Sequence, residues 1–231
     1  MRITIRRAWF LRELLVCLAA FSALPNFGYA QKQGANAVWA SGGNPTPSYA
    51  FIDATQFSGD ICGQINAALV FAQVHSSLFP DGVVIDARGI ISSSSQTCLN
   101  SPFPSNSPPS TILLPASTIV MSGTWTVPNQ TRIIGAVPVS PTLQAATSSQ
   151  GGFTGSDMIE MGSATLCLSG CSGISLEHLR LDAQQQAVNG IHNVSAQDQS
   201  FVDDIVLASM SQTGLWIDTG ATGSGPWIKS G

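Results

Sequence analysis

The stretch "SLEHLRLD" (Ser175–Asp182) lies over "FVDDIVLA" (Phe201–Ala208) with its apolar residues in the same order. Leu176 matches Val202, Leu179 matches Ile205 and Leu181 matches Leu207, each 26 positions on (202 − 176, 205 − 179, 207 − 181). Further along, "NGIHN" (189–193) lies over "TGLWI" (213–217), and Ile191 matches Leu215 at an offset of 24. A unit of that length, made of strands with no helix, suits one coil of a parallel β-helix. A sandwich has no reason to repeat in this way.

Inside each copy the two-residue alternation of a strand breaks once. Ile174 and Leu176 share one face, while Leu179 and Leu181 share a face in the opposite phase. A bend between Glu177 and His178 lets both halves face one core. The second copy breaks at Asp203-Asp204. The two polar pairs therefore fall at one corner of successive coils, stacked and turned largely to solvent. Polar residues at a bend avoid burying charge and can bond exposed backbone groups, which makes the corner architectural. Three acids and a histidine at one corner can instead hold a cation or move protons. Glu177, His178, Arg180, Asp203 and Asp204 are thus the candidate site residues.

Outward from this repeat, short apolar runs follow one another: "VVIDARG" (83–89), "TILLP", "STIVMSGTWTVP", "TRIIG", "PTLQAA" and "DMIEMG". Regular short strands with turn signals exclude a helical protein and leave a sandwich, a barrel or a β-helix. Before them, Ile61, Ile65, Leu69 and Ala72 recur at helical spacing, with Ser58 or Asp60 as N-cap and Pro80-Asp81-Gly82 as the turn beyond. This is the one amphipathic helix expected. Residues 92–110, rich in Ser, Pro and Asn, read as a long loop.

The first thirty residues carry Arg2, Arg6, Arg7 and Arg12, then an apolar run from Leu14 to Leu24, then Gly28-Tyr29-Ala30. This is the pattern of a secretory signal peptide cleaved after Ala30, with an apolar run too short for a comfortable span. Residues 31–50 read as a flexible leader and 51–231 as the domain. Of the 231 residues, 9 are Lys or Arg and 13 are Asp or Glu. Removing the signal takes away four arginines and Glu13, so the mature net charge is (9 − 4) − (13 − 1) = −7. No basic patch remains for nucleic acid. No membrane span is expected after cleavage, and the chain is expected to be secreted, periplasmic or at the cell surface.

Four cysteines stay in the mature chain: Cys62, Cys98, Cys167 and Cys171. An even count on an exported chain points to two disulfides, with three connectivities open. Cys62–Cys98 with Cys167–Cys171 is favoured, because "CLSGC" (167–171) can close tightly through Ser169-Gly170. A zinc site would have to recruit His178 and His192, whose spacing fits no zinc motif. No metal site is assigned.

The run "TILLPASTIVMSGTWTVPNQTRIIG" (111–135) resembles the opening coils of the pectate-lyase-like superfamily, and more narrowly its rhamnogalacturonase/epimerase-type domain. Leu113-Leu114-Pro115-Ala116, Trp125, Pro128 and Ile133-Ile134-Gly135 match in order. The helix Asp60 to Gln73 resembles the helix that covers the open N-terminal end in that family. "GISLEHLRLD" resembles its recurrent coil, with His178 where Asn is common. The resemblance covers about residues 50–220 and speaks to fold more than chemistry. It implies an all-β, right-handed, single-stranded parallel β-helix with an N-terminal capping α-helix.

The resemblance further implies that the protein acts on or binds polysaccharide, as a glycan hydrolase or lyase. The alternatives are a non-catalytic surface or adhesion module and a purely structural repeat protein. The spaced aspartates, the His-Gly and the Arg-x-Lys of the family's glycosidases have no counterpart here. Asp203-Asp204 is followed by Ile205-Val206, not by the small residues of the paired-aspartate motif. The family's lyases use Ca2+ and a basic residue, for which Arg180 is the nearby candidate. Past "TGLWID" neither a closing helix nor a covered terminal strand is legible. The domain is therefore expected to be the start of a longer β-helix, with Pro226-Trp227 plugging the last coil as the alternative.

Overall fold

The structure, a computed structural model, describes residues 50–90, 95–136, 141–167, 170–217 and 227–229. The expected signal segment, most of the leader and the tight turn Ser169 lie outside these residues. Among the described residues there is one α-helix, α1 (Ile61–Val74), and fourteen strands. They are β1 (Ala50–Asp53), β2 (Val83–Asp86), β3 (Gln96–Cys98), β4 (Ser110–Leu113), β5 (Thr118–Met121), β6 (Gly123–Val127) and β7 (Thr131–Ile134). After them come β8 (Thr142–Ala145), β9 (Thr154–Met161), β10 (Ser175–Asp182), β11 (Asn189–Asn193), β12 (Phe201–Ala208), β13 (Leu215–Ile217) and β14 (Trp227–Lys229).

Every strand pairing among the described residues is parallel. That excludes the antiparallel sandwich and defines a curled, β-helix-like all-β fold. The strands form three ladders. The first runs β1, β2, β4, β7, the first half of β10, the first half of β12, then β14. The second runs β3, β5, β8 and the second halves of β10 and β12. The third runs β6, β9, β11, β13.

Strands β10 and β12 belong to two ladders because each bends. His178 has φ 57° and Asp204 φ 52°, both left-handed, and the ladder skips from Glu177↔Asp203 to Leu179↔Ile205. The lost alternation in the sequence is this bend. Among residues with a Cβ, Asn, Asp and His are enriched at such φ values, so the corner selects its residue types.

The core is built of stacked identical positions. Ile52, Ile85, Ile112, Ile133, Leu176 and Val202 are register partners along the first ladder, all buried. Ile119, Leu143 and Leu181 do the same in the second, and Trp125, Ile159 and Ile191 in the third. Each such side chain contributes roughly 1.5–3 kcal/mol on leaving water. Glycine keeps two coils close: a Cβ on Gly190 would come 2.5 Å from the Gly214 carbonyl oxygen.

Helix α1 is capped by Asp60, whose Oδ1 accepts from Gly63 N at 2.7 Å. Its Ile61, Ile65, Ala68, Leu69 and Ala72 are buried in the same core. Asp60 Oδ2 also accepts from Leu99 N at 2.9 Å, and Cys62 is disulfide-bonded to Cys98. The second disulfide joins Cys167 to Cys171. The segment read as an unbroken loop over 92–110 contains β3, because Cys98 is held by α1 and Gln96–Cys98 pairs with β5. Trp227–Lys229 adds a strand to the first ladder beside β12. The register Phe201↔Trp227 repeats the 26-residue spacing (227 − 201), and Pro226 of the alternative plug lies outside the described residues.

Candidate functional site

On the outer side of the first ladder, alternate residues point away from the core. Thr111, Arg132, Ser175 and Phe201 form one such row, and Glu177 and Asp203 are neighbours in the next. Just before these strands the chain turns a corner in each coil, through Gly82, Pro109, Gln130, Gly173 and Gln199. The corners are themselves laddered: Val83 N donates to Pro109 O at 3.0 Å, Ser110 N to Gln130 O at 3.0 Å, and Gly173 N to Asp198 O at 2.9 Å.

Row and corner together bound an open groove of about 740 Å³, with Asp81 at one end, Arg132 and Ser175 in the middle and Phe201 at the other end. It crosses five strands, β2 to β12, so its length is about 19 Å at four steps of roughly 4.8 Å. Gln130 (φ 53°), Gly173 (φ 66°) and Gln199 (φ 59°) are left-handed at successive corners. Gly173 leaves a gap between the two glutamine positions: a Cβ there would meet Gln130 Cα at 3.6 Å, an ordinary contact.

Arg132 defines the electrostatics of the groove. Its Nε donates to Glu177 Oε1 at 3.2 Å, and its Nη2 donates to Oε1 at 2.9 Å and to Oε2 at 3.2 Å. Ser175 Oγ donates to the same Oε1 at 2.8 Å. Glu177 is consequently only 12% exposed at its side chain, whereas Arg132 is 49% exposed. A carboxylate expected to face solvent is instead gripped against the ladder by a guanidinium 45 positions away in the chain.

The other candidates separate from it. His178 Nδ1 lies 2.9 Å from Asp204 Oδ2 at the neighbouring corner. Arg180 sits past the bend with Nη2 3.7 Å from Asp182 Oδ2, so the basic residue beside Glu177 is Arg132 and not Arg180. Asp203 is the register partner of Glu177 on β12. The five residues therefore divide among a gripped carboxylate with its neighbour, a corner clasp and a separate ion pair. Among the described residues no group of three or more His, Cys, Asp or Glu is placed to hold a metal. No helix among them is long and apolar enough to cross a membrane.

A second polar row escaped the sequence reading. On the third ladder Thr126, Glu160, His192 and Trp216 are register partners. Thr126 Oγ1 donates to Glu160 Oε2 at 2.9 Å, and the His192 and Trp216 rings stack at 4.2 Å and 6°. His192 Nδ1 is 3.4 Å from the buried Asp157 Oδ2, and Asn189 Nδ2 donates to Asp157 Oδ1 at 2.8 Å. His192 lies on the third ladder and meets Asp157, whereas His178 lies at the bend between the first and second and meets Asp204. The 24-residue match of Ile191 to Leu215 was the available signal, since it places His192 beside Trp216 as well.

Compared with known proteins, the chain matches no family model, no curated protein and no solved structure.

Proposed function

We propose that this chain is an exported protein of the pectate-lyase-like type that binds polysaccharide along the groove of its first ladder. In this reading the fold is a right-handed, single-stranded parallel β-helix, with α1 covering its N-terminal end. Crossovers between parallel strands are right-handed in nearly all sheets, which supports the hand. Two disulfides favour an oxidising compartment and hence export. The observation that carries the binding reading is the groove itself, which tracks the stacking direction across five strands with at least one polar residue from each coil. An extended chain of sugar rings lies naturally along such a row, taking hydrogen bonds from side chains and stacking on an aromatic end.

A catalytic reading rests on one geometry. Glu177 and Asp203 are register partners on neighbouring strands, so two carboxyl-bearing residues, the residue type that glycosidases use in pairs, stand side by side. Against it, both carboxylate oxygens of Glu177 are already engaged by Arg132, and Ser175 Oγ donates to one of them, so neither is free to meet a glycosidic oxygen. The test is to measure binding by affinity electrophoresis over a glycan panel, with reducing-sugar release and absorbance of unsaturated uronates on the same samples. Binding without turnover supports the first reading, turnover lost in Asp203→Asn supports the second, and a folded protein that retains no glycan at all refutes both.

A further inference from the structure

We infer that the groove selects uncharged glycans over carboxylated or sulfated ones; this rests on the polysaccharide reading above. Arg132 is the single Lys, Arg or His among the described residues that line the groove. A lone arginine would ordinarily point to an acidic ligand, since its fork matches a carboxylate. Here one edge of the fork is already taken by Glu177, through hydrogen bonds of 3.2, 2.9 and 3.2 Å, and Ser175 donates to the same carboxylate. An anionic sugar could take both edges of the fork only by displacing Glu177, and at the N–H groups left over it would lie beside a carboxylate of like charge.

The surrounding charge opposes such an exchange. Arg132 contributes +1 while Glu177 and Asp81 contribute −2, a local sum of −1 before Asp203, the register neighbour of Glu177, is added. The remaining groups that reach the groove are neutral: the amides of Gln130 and Gln199 and the hydroxyl of Thr111, with the ring of Phe201 at one end. Amides both donate and accept, which is what sugar hydroxyls require, and an aromatic ring offers an apolar face to a sugar. Arg132 keeps half of its side chain exposed, so its unused N–H groups can still donate to a neutral hydroxyl.

The experiment uses the mature full chain and a set of neutral polymers, a glucan, a galactan and a mannan, each beside its C6-carboxylated form. The wild type is expected to bind one neutral polymer at least about five-fold more tightly than its carboxylated partner, the scale of one disrupted surface ion pair. That affinity should be insensitive to added salt. Glu177→Gln releases Arg132 and is expected to shift the ratio at least about five-fold toward the carboxylated polymer. Asp81→Asn, on an exposed turn, should move the ratio the same way and guards against a folding defect in the first variant. Gly173→Gln copies the residue at the flanking corners, narrows the groove and is expected to weaken binding of the neutral polymer. Tighter wild-type binding of the carboxylated forms, or a ratio that neither charge variant moves, would overturn the selectivity while leaving the polysaccharide reading intact. Absence of binding in both series removes the two together.

Discussion

His178 Nδ1 lies 2.9 Å from Asp204 Oδ2, and both residues are left-handed at the same corner of consecutive coils. Their backbone strain and their side-chain pairing occur at one place, 26 residues apart (204 − 178). His178, one of the candidate site residues, thus links one bend to the next. Asn at position 178 tolerates the same φ and keeps a polar side chain, whereas Ala does neither. His178→Ala should therefore destabilise by about 1–2 kcal/mol, combining a half-exposed pair with left-handed strain. His178→Asn should lie within roughly 0.5 kcal/mol of wild type. Urea unfolding of the two variants side by side checks the order; equal losses would argue against the strain component.

Asp86 illustrates a charge pair whose effect depends on pH. Arg88 donates to it through the side chain at 2.9 Å and through the backbone N at 3.0 Å, and the side-chain bond chiefly holds the Asp86 carboxyl below its ordinary value of 3.8. A depressed folded-state value means that the stabilisation is complete above the ordinary carboxylate range and is lost as pH falls through the folded value. With Arg88 half exposed, about 1 kcal/mol is expected. The stability gap between wild type and Asp86→Asn should be widest near neutrality and should close in acid. A gap that stays constant with pH would assign the effect to packing.

The two disulfides close loops of very different length, with separations of 36 and 4 residues. Loop entropy alone predicts about 4 kcal/mol for the first and about 2 kcal/mol for the second. Cys62→Ser/Cys98→Ser should therefore lower the denaturation midpoint more than Cys167→Ser/Cys171→Ser. It also frees α1 from β3, so its loss should expose Trp125, whose Nε1 donates to Cys98 Sγ at 3.2 Å. A larger drop for the short loop would point to native-state packing as the dominant effect.

Core ladders and glycine contacts should fail in different ways. Ile133 sits fully buried between Ile112 and Leu176, so Ile133→Ala should cost roughly 2–5 kcal/mol by leaving a cavity. Gly190→Ala adds an atom where Gly214 O, Leu207 Cδ2 and Met210 Cε already stand, at 2.5, 3.2 and 3.2 Å. The neighbours of Gly190 include backbone, which yields less readily than a side chain, so about 1–3 kcal/mol is expected from overpacking. Thermal melts of both variants check this; a neutral Gly190→Ala would mean that the two coils can separate at that point.

Local pattern was enough to show where consecutive coils are regular. Leu176↔Val202, Leu179↔Ile205, Leu181↔Leu207 and Ile191↔Leu215 are register partners at the offsets visible in the chain. Apolar side chains stacked at equal spacing leave a period, and a left-handed bend leaves a break in alternation, so both can be read by eye. The helix was legible for the same reason, because its signals are a few residues apart, and of the two caps the sequence offered, Ser58 and Asp60, the structure uses Asp60. The groove was not. Its row joins Thr111, Arg132, Ser175 and Phe201, whose separations are 21, 43 and 26 residues (132 − 111, 175 − 132, 201 − 175). The irregular step is set by the long excursion between β7 and β10, and no periodicity crosses an insertion of that size. Which arginine meets Glu177 was likewise decided by stacking: Arg180 is three residues away but beyond the bend, while Arg132 stands on the neighbouring strand. Sequence alone determined the coil and its corner, because those depend on near neighbours. Only the tertiary stack decided the site, because parallel strands bring together residues whose distance along the chain carries no signal.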